Sequence, residues 1–428
     1  MAPRTAEVIA VGSELLGSTR ADTNSLYLSG RLSELGIDLR IKSVVGDDRE
    51  DLAVLLRQAL DRTDLVVVTG GLGPTDDDLT RDVVSEVLGL PMDVDESIVA
   101  KIQARFERRG LVMPAVNRRQ ANVPRGALVL DNPNGTAPGL LIDHAGARGR
   151  QIVILLPGPP RELQPMFELV CDGPLRERAG NERTYRTKLF ITGRGESHVE
   201  QAVQPVYSRW RDQSPPISTT ILAAMGQIEL HLSVRETDEA RALAILDGAR
   251  AELLAVIAAD VYSTDGRMME EVVGDLLKSR GYTIAAAESC TGGLFMSRLT
   301  DIAGSSAYVR AGVIAYAYED KTALLGVPAE MIAGHGAVSE PVAVAMAEGI
   351  RERTNADVTV GITGIAGPGG GTEAKPVGTV AIAVIVPDQP AYVRTYSFVG
   401  GRAMVKFQAS QAALDRVRRM LADGEVRS

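Results

Sequence analysis

The stretch DLVVVTGGLGPTDDDLTRDV, residues 64–83, runs an apolar segment into a glycine turn and then into a polar, helix-compatible run. Leu65 to Val68 read as a strand buried on both faces, as strands of a helix-covered parallel sheet are. Gly70, Gly71 and Gly73 allow a tight turn and let backbone approach a phosphate. Thr75 and Thr80 are candidate contacts to phosphate oxygens. Asp76, Asp77 and Asp78 suit the positive end of a helix dipole. Adjacent carboxylates repel one another, however, and that pattern also suits a divalent cation. No Gly-Lys-Ser/Thr follows, so this is not a Walker loop. A loop leaving a buried strand and opening a helix is where α/β sheets bind ligands.

The same alternation extends outward. AEVIAVG (6–12) reads as a buried strand, TNSLYLSGRLSELG (23–36) as an amphipathic helix, and DLRIKSVVG as a second strand. DREDLAVLLRQALDRT is a helix, two more helices fill 79–109, and QIVILLPGPP (151–160) is another buried strand. Strand–helix alternation predicts a parallel sheet covered on both faces. From about 175 to 262 the pattern becomes that of a small α+β module, with GQIELHLSVRE alternating like a half-exposed strand. A third unit opens at RMMEEVVGDLLKSRG (267–281), where Met269, Val272, Val273, Leu276 and Leu277 form one helical stripe. The expected class is α/β. Two three-layer domains with mainly parallel or mixed sheets, over 1–172 and 264–424, are joined by a small α+β module over 173–263.

At 428 residues the chain is too long for one ordinary core. A net charge of −9 argues against a general nucleic-acid binder. Cys171 and Cys290 are far apart, and no Cys/His spacing suggests zinc. No apolar run is long enough for a signal peptide or a membrane span, so a cytoplasmic protein is expected.

The second site candidate is AAAESCTGGLF (285–295), with Ser289 and Cys290 adjacent at a strand–helix junction. Helix-start N–H groups there could stabilise an oxyanion or hold a phosphate. The competing reading is a serine N-cap with glycines for close packing. A nucleophilic serine needs a base. His335 is one candidate, and Lys321, with its pKa lowered by burial, is another. Tyr316 sits at a strand end shortly before Lys321. GITGIAGPGGG (361–371) is a glycine loop able to surround an anion. Arg402 opens another helix, and Lys375 reads as a solvated surface charge.

AESCTGG, TDIAGSSAYV, GAVSEPV, GITGIAGPGGG and KPVGTV together resemble the carboxyl-terminal domain of the CinA (competence/damage-inducible protein A) family. That resemblance implies hydrolysis of the carboxamide of nicotinamide mononucleotide (NMN) to nicotinic acid mononucleotide and ammonia, with no cofactor. It implies Ser289 as nucleophile, Lys321 as base and Tyr316 close by. Thr291, Gly292, Thr363, Gly364 and Arg402 would bind substrate. VGSELLGSTRADTNS, GGLGPTDDDLT, NRRQA, NPNGTAPGL and LPGPPREL are similar to the family's amino-terminal domain, which has the MoaB/MogA molybdopterin-binding fold. Some members hydrolyse ADP-ribose there at its pyrophosphate, using divalent metal, expected to be Mg2+. Gly70, Gly71, Gly73, Thr75, Asp76, Asp77 and Asp78 would form the phosphate and metal loop. Glu14, Asn24, Asn134, Gly135, Thr136, Gly158 and Pro159 would complete the pocket.

The middle module resembles the family's KH-like module. Its TGRGES lacks the GXXG of nucleic-acid-binding KH domains, so a spacer and dimerisation role is expected and nucleic acid is not. The expected assembly is a homodimer acting on small nucleotides, with no membrane partner. Alternatives are a molybdopterin-binding or adenylyl-transferring amino-terminal domain, and a non-enzymatic competence or DNA-damage scaffold.

Overall fold

The computed structural model describes residues 3–423 except 147 and 225. Two compact units are present, residues 1–185 with 235–242, and residues 186–234 with 243–428. No helix among the described residues is long and apolar enough to cross a membrane.

The first unit runs β1 (Thr5–Val11), α1 (Asn24–Glu34), β2 (Asp38–Val45), α2 (Arg49–Arg62), β3 (Leu65–Thr69), α3 (Thr80–Leu88), β4 (Met92–Val94) and α4 (Glu96–Glu107). It continues through β5 (Asn122–Pro124), β6 (Leu128–Leu130), β7 (Gly139–Gly146), β8 (Gly149–Leu156), α5 (Pro160–Asp172) and α6 (Pro174–Arg178). The main sheet has the order β2-β1-β3-β8-β7-β6. β1 pairs parallel with β2 and β3, and β3 with β8, whereas β7 pairs antiparallel with β8 and β6. Successive strand side chains point to opposite faces. Ile9, Val11, Val66 and Val68 therefore meet Leu52, Leu56, Val83 and Val84 of α2 and α3. Ala6, Val8, Leu65 and Val67 meet Leu28, Leu32, Leu163 and Phe167 of α1 and α5. Strands β6 and β7 have no counterpart in the sequence reading. Pro133, Gly135, Pro138 and Gly139 break up the apolar pattern there, and only the pairing of β7 with β8 and of β6 with β7 makes the ladder.

The following segment gives β9 (Arg183–Ile191), α7 (Glu196–Tyr207), β10 (Ile217–Ala224), β11 (Gln227–Glu236), α8 (Glu239–Ile257) and β12 (Val261–Ser263), in a sheet ordered β10-β11-β9-β12. Then come α9 (Met269–Arg280), β13 (Ile284–Glu288), α10 (Leu294–Thr300), β14 (Val309–Ile314), α11 (Tyr318–Leu325), α12 (Ala329–His335) and α13 (Glu340–Thr354). The chain closes with β15 (Val358–Gly364), β16 (Thr379–Ile385), β17 (Tyr392–Ser397) and α14 (Arg402–Asp423). This last sheet is ordered β14-β13-β15-β16-β17, parallel at β13 and antiparallel beyond β15. Ile284, Ala286, Val360, Ile362 and Ile382 pack on the side of α9, α10 and α14. Ala285 and Ala287 pack against Val342, Met346 and Ile350 of α13.

Gly361 shows how tightly α13 is seated. A Cβ there would stand 2.1 Å from the carbonyl oxygen of Ala343 and 2.9 Å from the amide nitrogen of Ala347. Overpacking of this kind costs about 1–3 kcal/mol. Gly361→Ala is expected to lower the urea midpoint of the protein accordingly. An unchanged midpoint would show that α13 shifts freely.

Candidate functional site

Ser289 follows β13 directly, and Thr363 and Gly364 end the neighbouring β15, so both lie at the carboxyl ends of parallel strands. Ser289 is 7% exposed and Lys321 1% exposed. The Lys321 Nζ lies 3.0 Å from Ser289 Oγ and donates to the carbonyls of Ala315 at 2.8 Å and Tyr316 at 3.5 Å. Burial pushes the Lys321 amine below the usual lysine range. A neutral amine keeps two N–H donors for these carbonyls and leaves its lone pair for the Ser289 hydroxyl. The expected serine–lysine pair is thus within hydrogen-bond reach. Cys290 is buried, and desolvation raises its thiol to about 12, so it does not form a thiolate at neutral pH.

The helix-start expectation is corrected in detail. α10 begins at Leu294, beyond Ser289, and the buried carboxylate of Glu288 accepts from the amides of Gly293, Phe295 and Met296. These N–H groups cap the helix and do not face a ligand. Ser289 N–H donates to Ile362 O and Gly292 N–H to Ser289 O. The amides of Cys290 and Thr291, which also face the Cys290 sulfur, are the remaining donors of the turn. Thr291 is fully buried with an unpartnered hydroxyl. Thr363 is buried too, and its hydroxyl donates to Ala337 O at 2.8 Å, so it can meet a ligand only as an acceptor.

Tyr316 is 56% exposed, and its hydroxyl accepts from Arg402 at 2.7 Å. Arg402 also donates to Gly367 O at 2.9 Å, tying the end of β14 to the glycine loop. The contacts of Tyr316 with the pair therefore run through its carbonyl. His335 is exposed at the end of α12, and its carbonyl accepts from Lys375. Lys375 also donates to Val338 O, so it braces a loop and is not the solvated charge expected. Lys406 was missed by sequence reading. Its Nζ lies 3.5 Å from where a Cβ on Gly292 would stand. Its place one helical turn after Arg402 was the available signal.

In the first unit, a cleft of about 480 Å³ opens at the carboxyl ends of β1, β3 and β8. It gathers Glu14, Gly70, Gly71, Gly73, Asp77, Asp78, Asn134, Gly135, Thr136, Gly158 and Pro159. Gly70 must be glycine, since φ is +91° and a Cβ would meet Val11 O at 2.1 Å. Asn24 stands behind the cleft, its amide donating to Gly158 O at 2.7 Å and its Oδ1 buried without a partner. Buried Arg81 holds the loop by donating to Leu72 O at 2.8 Å and Gly73 O at 3.1 Å. Desolvation lowers its pKa to about 10, which leaves it charged at neutral pH. Sequence reading also missed Asp47, Arg105, Arg109 and Arg161, which line the cleft. The last three give the cleft a cationic side.

The three adjacent aspartates do not converge. The Asp78 carboxylate accepts from Gly73 N at 2.7 Å, Thr75 N at 2.8 Å and the Thr75 hydroxyl. Asp76 points to solvent and pairs with Arg119 at 2.8 Å. Asp77 alone keeps an exposed carboxylate at the cleft. Divergence and hydrogen bonding relieve the repulsion that suggested a shared cation. Among the described residues no cluster of three or more metal-ligating side chains forms. Asp76, Asp77 and Asp78 therefore do not fit a preformed metal cage, and Thr75 serves the loop with its donors.

Residues 266–421 match the CinA C-terminal domain model, and residues 7–177 match the probable molybdopterin binding domain. The chain is 45% identical over 416 residues to a CinA-like protein of Koribacter versatilis, covering 97% of this chain and 99% of that one. The chain belongs to the CinA family. A putative competence-damage inducible protein of Symbiobacterium thermophilum is 45% identical over 426 residues, covering 97% of this chain and 98% of that one. Among solved structures, a competence/damage inducible protein from Agrobacterium tumefaciens is 36% identical, covering 36% of this chain and 93% of that one, with a TM-score of 0.35. The protein CinA from Thermoplasma acidophilum is 32% identical, covering 40% and 99%, with a TM-score of 0.36. The buried Ser289–Lys321 pair thus lies in the CinA carboxyl-terminal domain, and the arginine-lined cleft in the molybdopterin-binding-type domain.

Proposed function

We propose that this CinA-family protein is a nucleotide hydrolase whose carboxyl-terminal domain deamidates NMN. The observation that carries the reading is the 3.0 Å contact between Ser289 Oγ and the buried Lys321 Nζ. Ser289 Oγ attacks the carboxamide carbon while its proton passes to the neutral Lys321 amine. The amides of Cys290 and Thr291 stabilise the oxyanion. The C–N bond then breaks, and the Lys321 ammonium returns its proton to the departing nitrogen, which leaves as ammonia. Water attacks the resulting ester, its proton again received by Lys321 and passed to Ser289 Oγ. Nicotinic acid mononucleotide is released. Arg402, which donates to Gly367 O, and Lys406, beside Gly292, suit the phosphate of NMN.

In the amino-terminal cleft the proposed ligand is ADP-ribose, its pyrophosphate held by Arg105, Arg109 and Arg161 beside the Gly70–Gly73 loop. The divalent cation expected for hydrolysis has no preformed carboxylate cage there, and no step is assigned to it. The molybdopterin binding domain match favours a second reading for this cleft, namely binding a molybdopterin. Incubation with ADP-ribose, with and without Mg2+, separates the two. AMP and ribose 5-phosphate are expected for the hydrolase, and unchanged ADP-ribose would leave the pterin reading.

The same assay tests the separation of the sites. Asp77→Ala is expected to slow ADP-ribose breakdown by at least about tenfold. It should leave ammonia release from NMN unchanged. Equal loss of both reactions would contradict two independent sites.

A further inference from the structure

Glu288 stands next to the nucleophile and is not among the groups that react. It ends β13, the strand that pairs with both β14 and β15. Successive residues of a strand alternate between its faces. Glu288 therefore turns with Ala286 toward α10, while Ser289 turns the other way, toward Lys321.

Glu288 is 1% exposed. A carboxylate buried to this degree is costly unless it is paired. Among the described residues no Lys, Arg or His forms an ion pair with it. Three peptide N–H groups hold it instead. Its Oε2 accepts from Gly293 at 3.0 Å and Phe295 at 3.2 Å, and its Oε1 accepts from Met296 at 3.0 Å. An ordinary N-cap is a short side chain on the residue that opens the helix. Glu288 reaches forward from the preceding strand, so it also ties the 289–293 turn to the end of β13.

That turn has little stiffness of its own. Gly292 and Gly293 both take left-handed backbone, with φ of +61° and +90°. Glycine enters that region freely and leaves it as freely. The Cys290 and Thr291 amides lie within the turn, between Ser289 N–H, which donates to Ile362 O at 2.9 Å, and Gly292 N–H, which donates to Ser289 O at 3.0 Å. The backbone of Glu288 reaches the base as well. Its carbonyl accepts from Ala315 N at 2.9 Å, and the Ala315 carbonyl accepts from Lys321 Nζ at 2.8 Å. One residue thus anchors both the turn that bears Ser289 and the strand end that orients Lys321.

We propose, resting on the deamidase reading of this site, that Glu288 is a positioning residue for the reaction. Its carboxylate holds the 289–293 turn so that the Cys290 and Thr291 amides meet the oxyanion. Three donors that converge on two oxygens need acceptors on both, which a carboxylate has and a carboxamide lacks. Glu288→Gln keeps the size of the side chain and sets its NH2 group against at least one peptide N–H.

A misplacement of about 1 Å in such a site costs on the order of 10²-fold in rate. Glu288→Gln is therefore expected to lower kcat for NMN by at least about thirtyfold and to change KM by less than about threefold, because an oxyanion contact forms only in the transition state. A second readout does not use NMN. With a small alkylsulfonyl fluoride, Ser289 Oγ bonds to sulfur, fluoride leaves, and Lys321 takes the hydroxyl proton. Labelling of the Ser289 peptide, followed by mass spectrometry, should slow in Glu288→Gln by a factor similar to the loss in kcat. Should that variant fail to fold, as read by thermal unfolding, Glu288→Asp replaces it. Aspartate keeps the charge but is one methylene too short to reach Gly293 and Met296 together, and the same losses are expected.

Unchanged kcat and labelling in a folded variant would overturn the proposal. So would a rise in KM with kcat unchanged. A wild-type protein that is labelled at Ser289 but releases no ammonia from NMN would end the deamidase reading alone, and the labelling rates would still decide the role of Glu288.

Discussion

Ser289→Ala is expected to remove NMN deamidation almost entirely, with kcat falling by at least about 10³-fold, because the nucleophile of an acyl transfer has no substitute in its site. The neighbouring thiol does not rescue it. Cys290 is buried, with its pKa raised to about 12 by desolvation. The variant should fold normally, since the hydroxyl of Ser289 is paired only with Lys321 among the described residues. ADP-ribose turnover in the same preparation serves as the internal control and is expected to be unchanged. Ammonia release at the wild-type rate would end the assignment of Ser289.

Lys321→Met carries the second large effect. It preserves most of the buried stem and removes the amine, and general-base assistance is typically worth about 10²–10⁴-fold. Lys321→Arg should be as inactive as Lys321→Met, because a guanidinium stays protonated and cannot receive the serine proton. A positive charge needed only for electrostatics would instead let the arginine variant work. The pH dependence follows from the direction of the shift. Burial lowers the Lys321 pKa, so kcat/KM for NMN is expected to rise with pH and level off below the range of a free lysine.

The stability linkage has its own sign. Below the unfolded pKa of about 10.4 the unfolded chain takes up a proton that the folded site resists. This group therefore favours unfolding progressively as pH falls from there to the folded pKa, and constantly below it. Lys321→Met should abolish that component of the pH dependence in denaturant titrations.

The layered architecture was readable because each central strand is apolar on both faces, as in LVVV of β3, and each helix carries one stripe, as in α9. Strands β6 and β7 were not readable, because β7 pairs with β8 and β6 with β7, and local pattern does not encode that ladder. At the sites, glycine turns and the serine–lysine pair were visible as residue types. What each carboxylate does was not. Glu288 caps α10, Asp78 closes its own loop and Asp76 meets Arg119, all decided by backbone direction. The identical letters of Asp76, Asp77 and Asp78 hid three different environments. Arg105 and Arg161 reach the cleft from α4 and α5, far apart in sequence, so only the fold could bring them together.

The most direct measurement is mass spectrometry of protein quenched in acid during NMN turnover, with the peptides mapped. A nicotinic acid mononucleotide acyl adduct is expected on the peptide bearing Ser289. It should be localised to that residue, absent in Ser289→Ala and dispersed by hydroxylamine. An adduct on Cys290, or undiminished ammonia release from Ser289→Ala with no adduct in either protein, would contradict the serine–lysine mechanism.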